Sequence, residues 1–341
     1  MKKNVTLKDI ANATGVHVST VSRALTPNGR TSLSSEVVER IRMAAKDMEY
    51  RPNRLASGLR TNRTMIVGVM IPDITNMLFP PIVRGIESFL EPNGYASILV
   101  NTDNDADREA RLLDVLRERG VDGVINAAVQ FDDPRIERFA EELPFVTVNR
   151  KLENGSIPSV ISDDVGGVRM MVRKLYDVGH RRIAHIAGPP ELSTGVERRA
   201  AFESCMSGLG CSNPQSLVAT ASGYSEEEGV RCTHTLLDKD DSITAIVCAN
   251  DRLAIGSLQA LRQRGLTCPE DVSLTGFNGI PILDLIPPGL TTVQILQFDI
   301  GRTAAEILVK MITSPDKPVP STTILPVNIV ERGSIGPARR T

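Results

Sequence analysis

The sequence predicts an all-α helix-turn-helix headpiece followed by an α/β body with parallel sheets. Three observations predict it. Residues 6–25 read TLKDIANATGVHVSTVSRAL, two short helical patterns separated by a glycine. From Met65 onward, apolar runs alternate with amphipathic stretches, as strands and helices do when they follow one another. Charge divides at the same place: residues 1–63 carry twelve Lys and Arg against five Asp and Glu, a net of +7, and the rest of the 341-residue chain carries −9.

In the first helix Leu7, Ile10 and Ala11 fall on one face. Gly15 lacks a Cβ and suits the tight turn that follows. Val18, Val21, Ala24 and Leu25 repeat the apolar spacing in the second helix, which leaves Ser19, Thr20, Ser22 and Arg23 outside. Small polar residues with one arginine can approach base edges closely in the major groove. Val38, Ile41, Ala45 and Met48 form the stripe of a third helix over 34–48. Pro52 ends it, because the residue before a proline is biased away from the helix. Asn53 can cap a hinge helix over 54–59, but Gly58 and its shortness leave that helix too weak to stand alone. A basic charge that coincides with a helix-turn-helix is the electrostatic footprint of a DNA-binding module.

Residues 65–71, MIVGVMI, are the continuous apolar run expected of a strand buried on both faces. Further strands are predicted at 96–100, 123–127, 145–148, 183–187, 218–221, 245–249 and 272–275. Helices are predicted at 82–90, 108–119, 165–177, 196–209, 226–237, 253–264 and 300–311. Eight strands fit either one large sheet or two smaller ones.

Residues 50–60, YRPNRLASGLR, complete a pattern that resembles the lactose-repressor/purine-repressor (LacI) family of bacterial transcription regulators, and the resemblance runs on to about residue 335. It implies a headpiece over 1–50, a hinge helix and linker over 51–63, and a periplasmic-binding-protein-like body over 64–341. That body has two lobes, one of about 64–161 and 291–325, the other of about 162–290 and 326–341. Crossings between them are expected near Ser162, Thr291 and Pro326.

By position in the family pattern, Val18, Ser19 and Arg23 read bases. Arg23 can donate two hydrogen bonds to guanine O6 and N7. Thr6, Thr20, Ser22 and Asn28 hold phosphates, which set register but not sequence. In the hinge, Asn53, Arg54, Ala56 and Arg60 match the family, and Leu59 takes the place of the leucine that wedges into the minor groove and bends the DNA. A symmetric wedge requires a homodimer and a pseudo-palindromic operator of double-stranded DNA.

The resemblance also implies a small-molecule effector: a sugar, sugar acid or sugar phosphate. Its expected partners are Phe79, Arg150, Thr194, Arg198, Tyr224, Asn250 and Asn278. Several of these lie at strand C-terminal ends, where open α/β sheets place ligands, and aromatic faces with Arg and Asn groups suit a polyhydroxy molecule. Two departures stand out. Many members carry Asp where Asn278 stands, so a cleft holding Arg150 and Arg198 is expected to be positive and to favour an acidic effector; a neutral sugar with the amide in the same role is the alternative. Ala201 replaces a usual Gly and would shift the helix of Arg198 slightly.

Nothing in the sequence points to an enzyme, a cofactor or a metal. GxSxG, a phosphate loop and a plausible triad are all missing. Asp73, Asp163, Asp164 and Asp251 read as helix caps or ligand acceptors rather than reacting carboxylates. His17, His180, His185 and His234 lack metal spacing, and His180 is expected to be structural. Five cysteines without CxxC spacing imply thiols in a reducing cytoplasm. The N-terminal residues lack a signal-peptide core, and no run reaches the roughly 18 apolar residues of a membrane span. RGSIGPARRT offers no apolar heptads for tetramers, so a dimer is expected. The competing reading is a cytoplasmic solute-binding receptor without DNA binding, against which the +7 headpiece stands.

Overall fold

The computed structural model describes residues 5–25, 33–50 and 63–339. Two compact units are present, 1–64 and 65–341. Asn28 and the hinge residues Asn53, Arg54, Ala56, Leu59 and Arg60 lie outside the described residues.

The first unit holds α1 (Leu7–Thr14), α2 (Val18–Leu25) and α3 (Ser35–Asp47). Thr6 and Asp9 form a capping box: the Thr6 hydroxyl accepts from the Asp9 amide at 3.3 Å, and the Thr6 amide donates to Asp9 Oδ2 at 2.8 Å. Gly15 ends α1 at φ 66°, the left-handed conformation that a side chain disfavours. Ile10, Val21, Ala24, Val38 and Ile41 meet in a core of their own.

The second unit has two six-stranded sheets. One runs in the order β11-β5-β4-β3-β1-β2 and is parallel throughout: β1 Ile66–Ile71, β2 Ala96–Asn101, β3 Gly123–Asn126, β4 Phe145–Val148, β5 Ser159–Ser162 and β11 Thr322–Leu325. Helices α4 (Phe79–Leu90), α5 (Ala106–Glu118), α6 (Pro134–Glu142) and a late helix, Gln297–Thr313, accompany it. The other sheet runs β12-β10-β9-β8-β6-β7: β6 Ile183–Ala187, β7 Val218–Thr220, β8 Ala245–Cys248, β9 Ser273–Asn278, β10 Thr291–Gln294 and β12 Asn328–Val330. Only its pairing of β12 with β10 is antiparallel. Its helices are α7 (Asp164–Asp177), α8 (Ser193–Gly208), α9 (Glu226–Lys239) and α10 (Asp251–Gln263); the late helix is therefore α11.

Two sheets, not one large sheet, are thus the arrangement. The chain crosses after Ser162, after Gln294 and between Leu325 and Asn328. The second crossing falls later than the expected Thr291, because Thr291–Gln294 pair in register with Thr275–Asn278 of the second lobe.

Two glycines let α4 and α11 touch. A Cβ on Gly85 would stand 2.0 Å from the carbonyl oxygen of Phe298, and one on Gly301 would stand 1.9 Å from that of Ile82.

His185 lies fully buried in β6. Its Nδ1 donates to the Val247 carbonyl at 2.7 Å, and its ring stacks on Phe202 at 4.9 Å between centroids. Burial pulls its pKa from 6.5 down to about 4. Between those values the unfolded chain binds a proton that the native chain refuses. Stability is therefore expected to fall as pH drops through this window, by at most roughly 3 kcal/mol. Urea unfolding at stepped pH should show this slope in the native protein and a shallower one in His185→Gln; equal slopes would assign the acid sensitivity to other groups.

His180 is structural as expected, with Nδ1 2.9 Å from Thr244 Oγ1 and Nε2 3.0 Å from the Gly336 carbonyl. All five cysteines are free thiols. Among the described residues no helix is long and apolar enough to cross a membrane.

Candidate effector cleft and DNA-reading face

A cavity of about 500 Å³ opens between the C-terminal ends of the two sheets. All seven residues expected at an effector line it. Phe79 comes from the first turn of α4, and Arg150 follows β4. From the other lobe, Thr194 and Arg198 come from α8, Tyr224 from the loop after β7, Asn250 from the cap of α10 and Asn278 from the end of β9.

Five of these side chains are already held by hydrogen bonds. Arg198 is only 2% exposed: Nη2 donates to Asp164 Oδ1 at 2.9 Å, Nη1 to the Ala249 carbonyl at 2.5 Å, and the guanidinium lies 3.7 Å over the ring of Phe277. Arg150 donates to the Ala128 carbonyl and to Asn104 Oδ1, both at 3.1 Å, and burial lowers its pKa to about 10. The hydroxyls of Tyr224 and Thr194 bond at 2.9 Å, and burial raises the Tyr224 pKa. Asn250 Oδ1 caps α10 by accepting from the Leu253 amide at 2.9 Å, which leaves its Nδ2 for a ligand.

Asn278 sits at φ 111°, a conformation rare for any residue with a side chain. Buried Asp251 fixes the turn that follows it. Its Oδ2 accepts from the Ile280 amide at 3.0 Å and its Oδ1 from Thr292 Oγ1 at 2.5 Å, while burial raises its pKa to about 7. Strain of this kind is kept where surrounding contacts over-determine it, commonly at functional sites.

The positive cleft anticipated from Arg150, Arg198 and Asn278 is corrected here. Asp164 neutralises Arg198, and the carboxyl of Glu109, whose pKa burial raises, attracts Arg150. At the mouth Arg252 reaches across the lobes to Asp73 at 3.1 Å while gripping Glu226 at 2.7 Å. The sequence readings of Asp163 and Asp164 also resolve: Asp163 caps α7 through the Gly166 amide at 2.8 Å, and Asp164 is the salt-bridge partner.

Arg252, Asn149 and Glu109 line the cavity but were missed in the sequence. Arg252 and Asn149 each lie within two residues of an expected partner, in CANDRLAIG and FVTVNR, so position alone could have flagged them.

On the headpiece, Ser19 and Arg23 are exposed on α2, and Val18, Thr20 and Ser22 are half-buried beside them. Arg23 Nε lies 3.4 Å from the Ser19 carbonyl. Thr6 Oγ1 donates to Asp9 at 2.7 Å, so a phosphate contact from Thr6 must share the hydroxyl with the helix cap. His17, also missed, adjoins this face with Nδ1 2.8 Å from Ser19 Oγ.

The comparisons agree with both parts. The family model "Bacterial regulatory proteins, lacI family" matches residues 6–53, and "Periplasmic binding protein-like domain" matches 172–335. The ribose operon repressor of Halalkalibacterium halodurans is 31% identical over 307 residues, covering 90% of each chain. This chain belongs to the lacI family. A LacI family regulator from Enterococcus faecium, solved with bound ribose, is 31% identical with a TM-score of 0.69, covering 80% of this chain and 100% of that one. The lac repressor dimer bound to operator shares the fold at 24% identity and a TM-score of 0.84, with 97% and 99% covered. As a lacI-family member the protein is a DNA-binding transcription regulator and not an enzyme.

Proposed function

We propose that this protein is a cytoplasmic repressor of carbohydrate-metabolism genes that binds a pseudo-palindromic operator as a homodimer, with a carbohydrate in the cleft controlling that binding. The observation that carries the reading is one chain holding both a helix-turn-helix with Ser19 and Arg23 exposed and a cavity lined by all seven expected effector residues. A relative named as a ribose operon repressor and another solved with bound ribose support a sugar as the input. Val18, Ser19 and Arg23 read bases; Thr6, Thr20, Ser22 and Asn28 hold phosphates. Asn53, Arg54, Ala56, Leu59 and Arg60 form the hinge that enters the minor groove. A sugar that prefers the body conformation incompatible with paired hinges releases the operator; without a differential affinity it shifts nothing.

The test is an operator selected from random duplex DNA, followed by anisotropy titration at stepped salt with and without sugars. Phosphate contacts predict an affinity that falls steeply with salt, and sugar is expected to weaken binding. DNA affinity absent even at low salt would overturn the reading in favour of a solute receptor. Arg23→Ala is expected to weaken the selected operator by about 1–3 kcal/mol, roughly five- to 150-fold, and to relax preference at one base pair. A uniform loss across all sequences would make Arg23 a phosphate contact instead.

A further inference from the structure

We infer that the cleft is built for an uncharged polyhydroxy ligand and discriminates against sugar acids and sugar phosphates. The inference rests on the carbohydrate-effector reading and narrows it.

Charge balance is the first ground. Three arginines line the cavity, Arg150, Arg198 and Arg252, and three carboxyl groups line it with them, Asp73, Glu109 and Glu191. Behind this lining stand two more acids, each in contact with an arginine. Asp164 holds Arg198 at 2.9 Å in a pair only 2–3% exposed, and Glu226 holds Arg252 at 2.7 Å. An anion entering here would find Arg198 and Arg252 already in ion pairs and Arg150 bonded to the Ala128 carbonyl and Asn104, and it would displace or repel carboxylates in a setting where solvent screens little.

Hydrogen-bonding capacity is the second ground. Among the described residues, four buried polar atoms on the cavity lining have no hydrogen-bond partner: Nε of Arg150, Nε of Arg198, Oδ1 of Asn149 and Oδ1 of Asn278. Two are donors and two are acceptors. A hydroxyl both donates and accepts, so a ligand with several hydroxyls can serve both kinds. A carboxylate or phosphate accepts only; it could serve the two Nε groups but would set its charge against the amide oxygens. The Tyr224–Thr194 hydroxyl pair adds a further donor and acceptor at the wall. Aromatic faces at Phe79 and Tyr224 suit the apolar face of a sugar ring.

The experiment is calorimetric titration of the full chain with matched sets: D-ribose, D-ribonate and ribose 5-phosphate; D-glucose, D-gluconate, D-glucuronate and glucose 6-phosphate. The expected result is that within the set that binds, the neutral sugar is at least tenfold tighter than its charged counterparts. An acid or phosphate binding as tightly as its neutral parent overturns the inference while leaving a carbohydrate-controlled repressor intact. Binding of none overturns both the inference and the carbohydrate input; operator affinity, measured without ligand, then stands or falls separately. Asp164→Asn gives the converse check, since it uncovers the Arg198 charge and should shift the neutral-to-acid ratio toward the acid by tenfold or more. If that variant does not fold, Asp73→Asn at the partly exposed mouth should shift the same ratio in the same direction, and an unmoved ratio there counts against the inference.

Discussion

Replacing Arg198 by methionine is expected to destabilise the protein by about 3–5 kcal/mol and to abolish the response to effector. The stability loss comes from what is left behind. Asp164 is 3% exposed and, among the described residues, would keep the Ser162 hydroxyl, 2.8 Å away, as its side-chain donor once the 2.9 Å bond to Arg198 is gone. Removing one partner of a buried ion pair strands a charge in low dielectric, and losses of about that size follow. The cation–π contact with Phe277, 3.7 Å from the ring centroid, is lost too. Urea unfolding at neutral pH measures the effect. One further outcome separates this cause from simple loss of packing. The double variant with Asp164→Asn should be more stable than Arg198→Met alone, yet still fail to bind effector. A single variant as stable as the native protein would mean that the pair does not bear on folding. The functional loss has its own geometry: Asp164 opens α7 directly after the first crossing, so Arg198 ties the cleft wall to the strand through which the lobes are joined.

Much of this was readable in advance where the signal is local. The long amphipathic helices and the apolar strands β1, β3, β6 and β8 declare themselves by period, and the glycine at 15 marks the turn of the headpiece. The strands that escaped, β5, β10, β11 and β12, are three or four residues long, and several mix Ser, Thr or Asn with a few apolar positions. Their identity comes from the neighbours they pair with, not from any pattern of their own. Helix α6 is different: Asp133 followed by Pro134 is a start signal that was there to be used. At the site, the family resemblance brought seven residues to one cavity, but their charge state was misread. Arg198 and Asp164 are 34 residues apart, and Arg252 and Asp73 are 179 apart. Counting arginines along a sequence says nothing of the carboxylates that folding sets against them.

Gly85→Val should cost about 3 kcal/mol or more and weaken effector binding with it, although residue 85 does not line the cleft. The helices α4 and α11 meet so closely that a Cβ at this position would stand 2.0 Å from the Phe298 carbonyl oxygen and 3.0 Å from the Arg302 amide nitrogen. Backbone atoms cannot swing aside as a side-chain tip can, so the helices must separate. In a close-packed interior that separation opens contacts along the whole seam. The same seam carries Ile82, Ile86 and Leu90 on α4 and Ile300, Ala304 and Leu308 on α11, all buried. Phe79 begins α4 and lines the cavity, so a displaced helix carries the aromatic wall with it. Gly301→Val attacks the seam from the other side, 1.9 Å from the Ile82 carbonyl, and should behave alike. The two variants should not be additive, because the first already forces the helices apart and relieves the clash of the second. Gly208→Ala supplies the control: nothing lies within 4 Å of its Cβ position, and at the end of α8 the added methyl should leave the melting temperature unchanged or slightly raised. A Gly85→Val protein that melts with the native one would show that α4 and α11 have slack to give. The placement of Phe79 would then have to depend on its own loop rather than on the helix it starts.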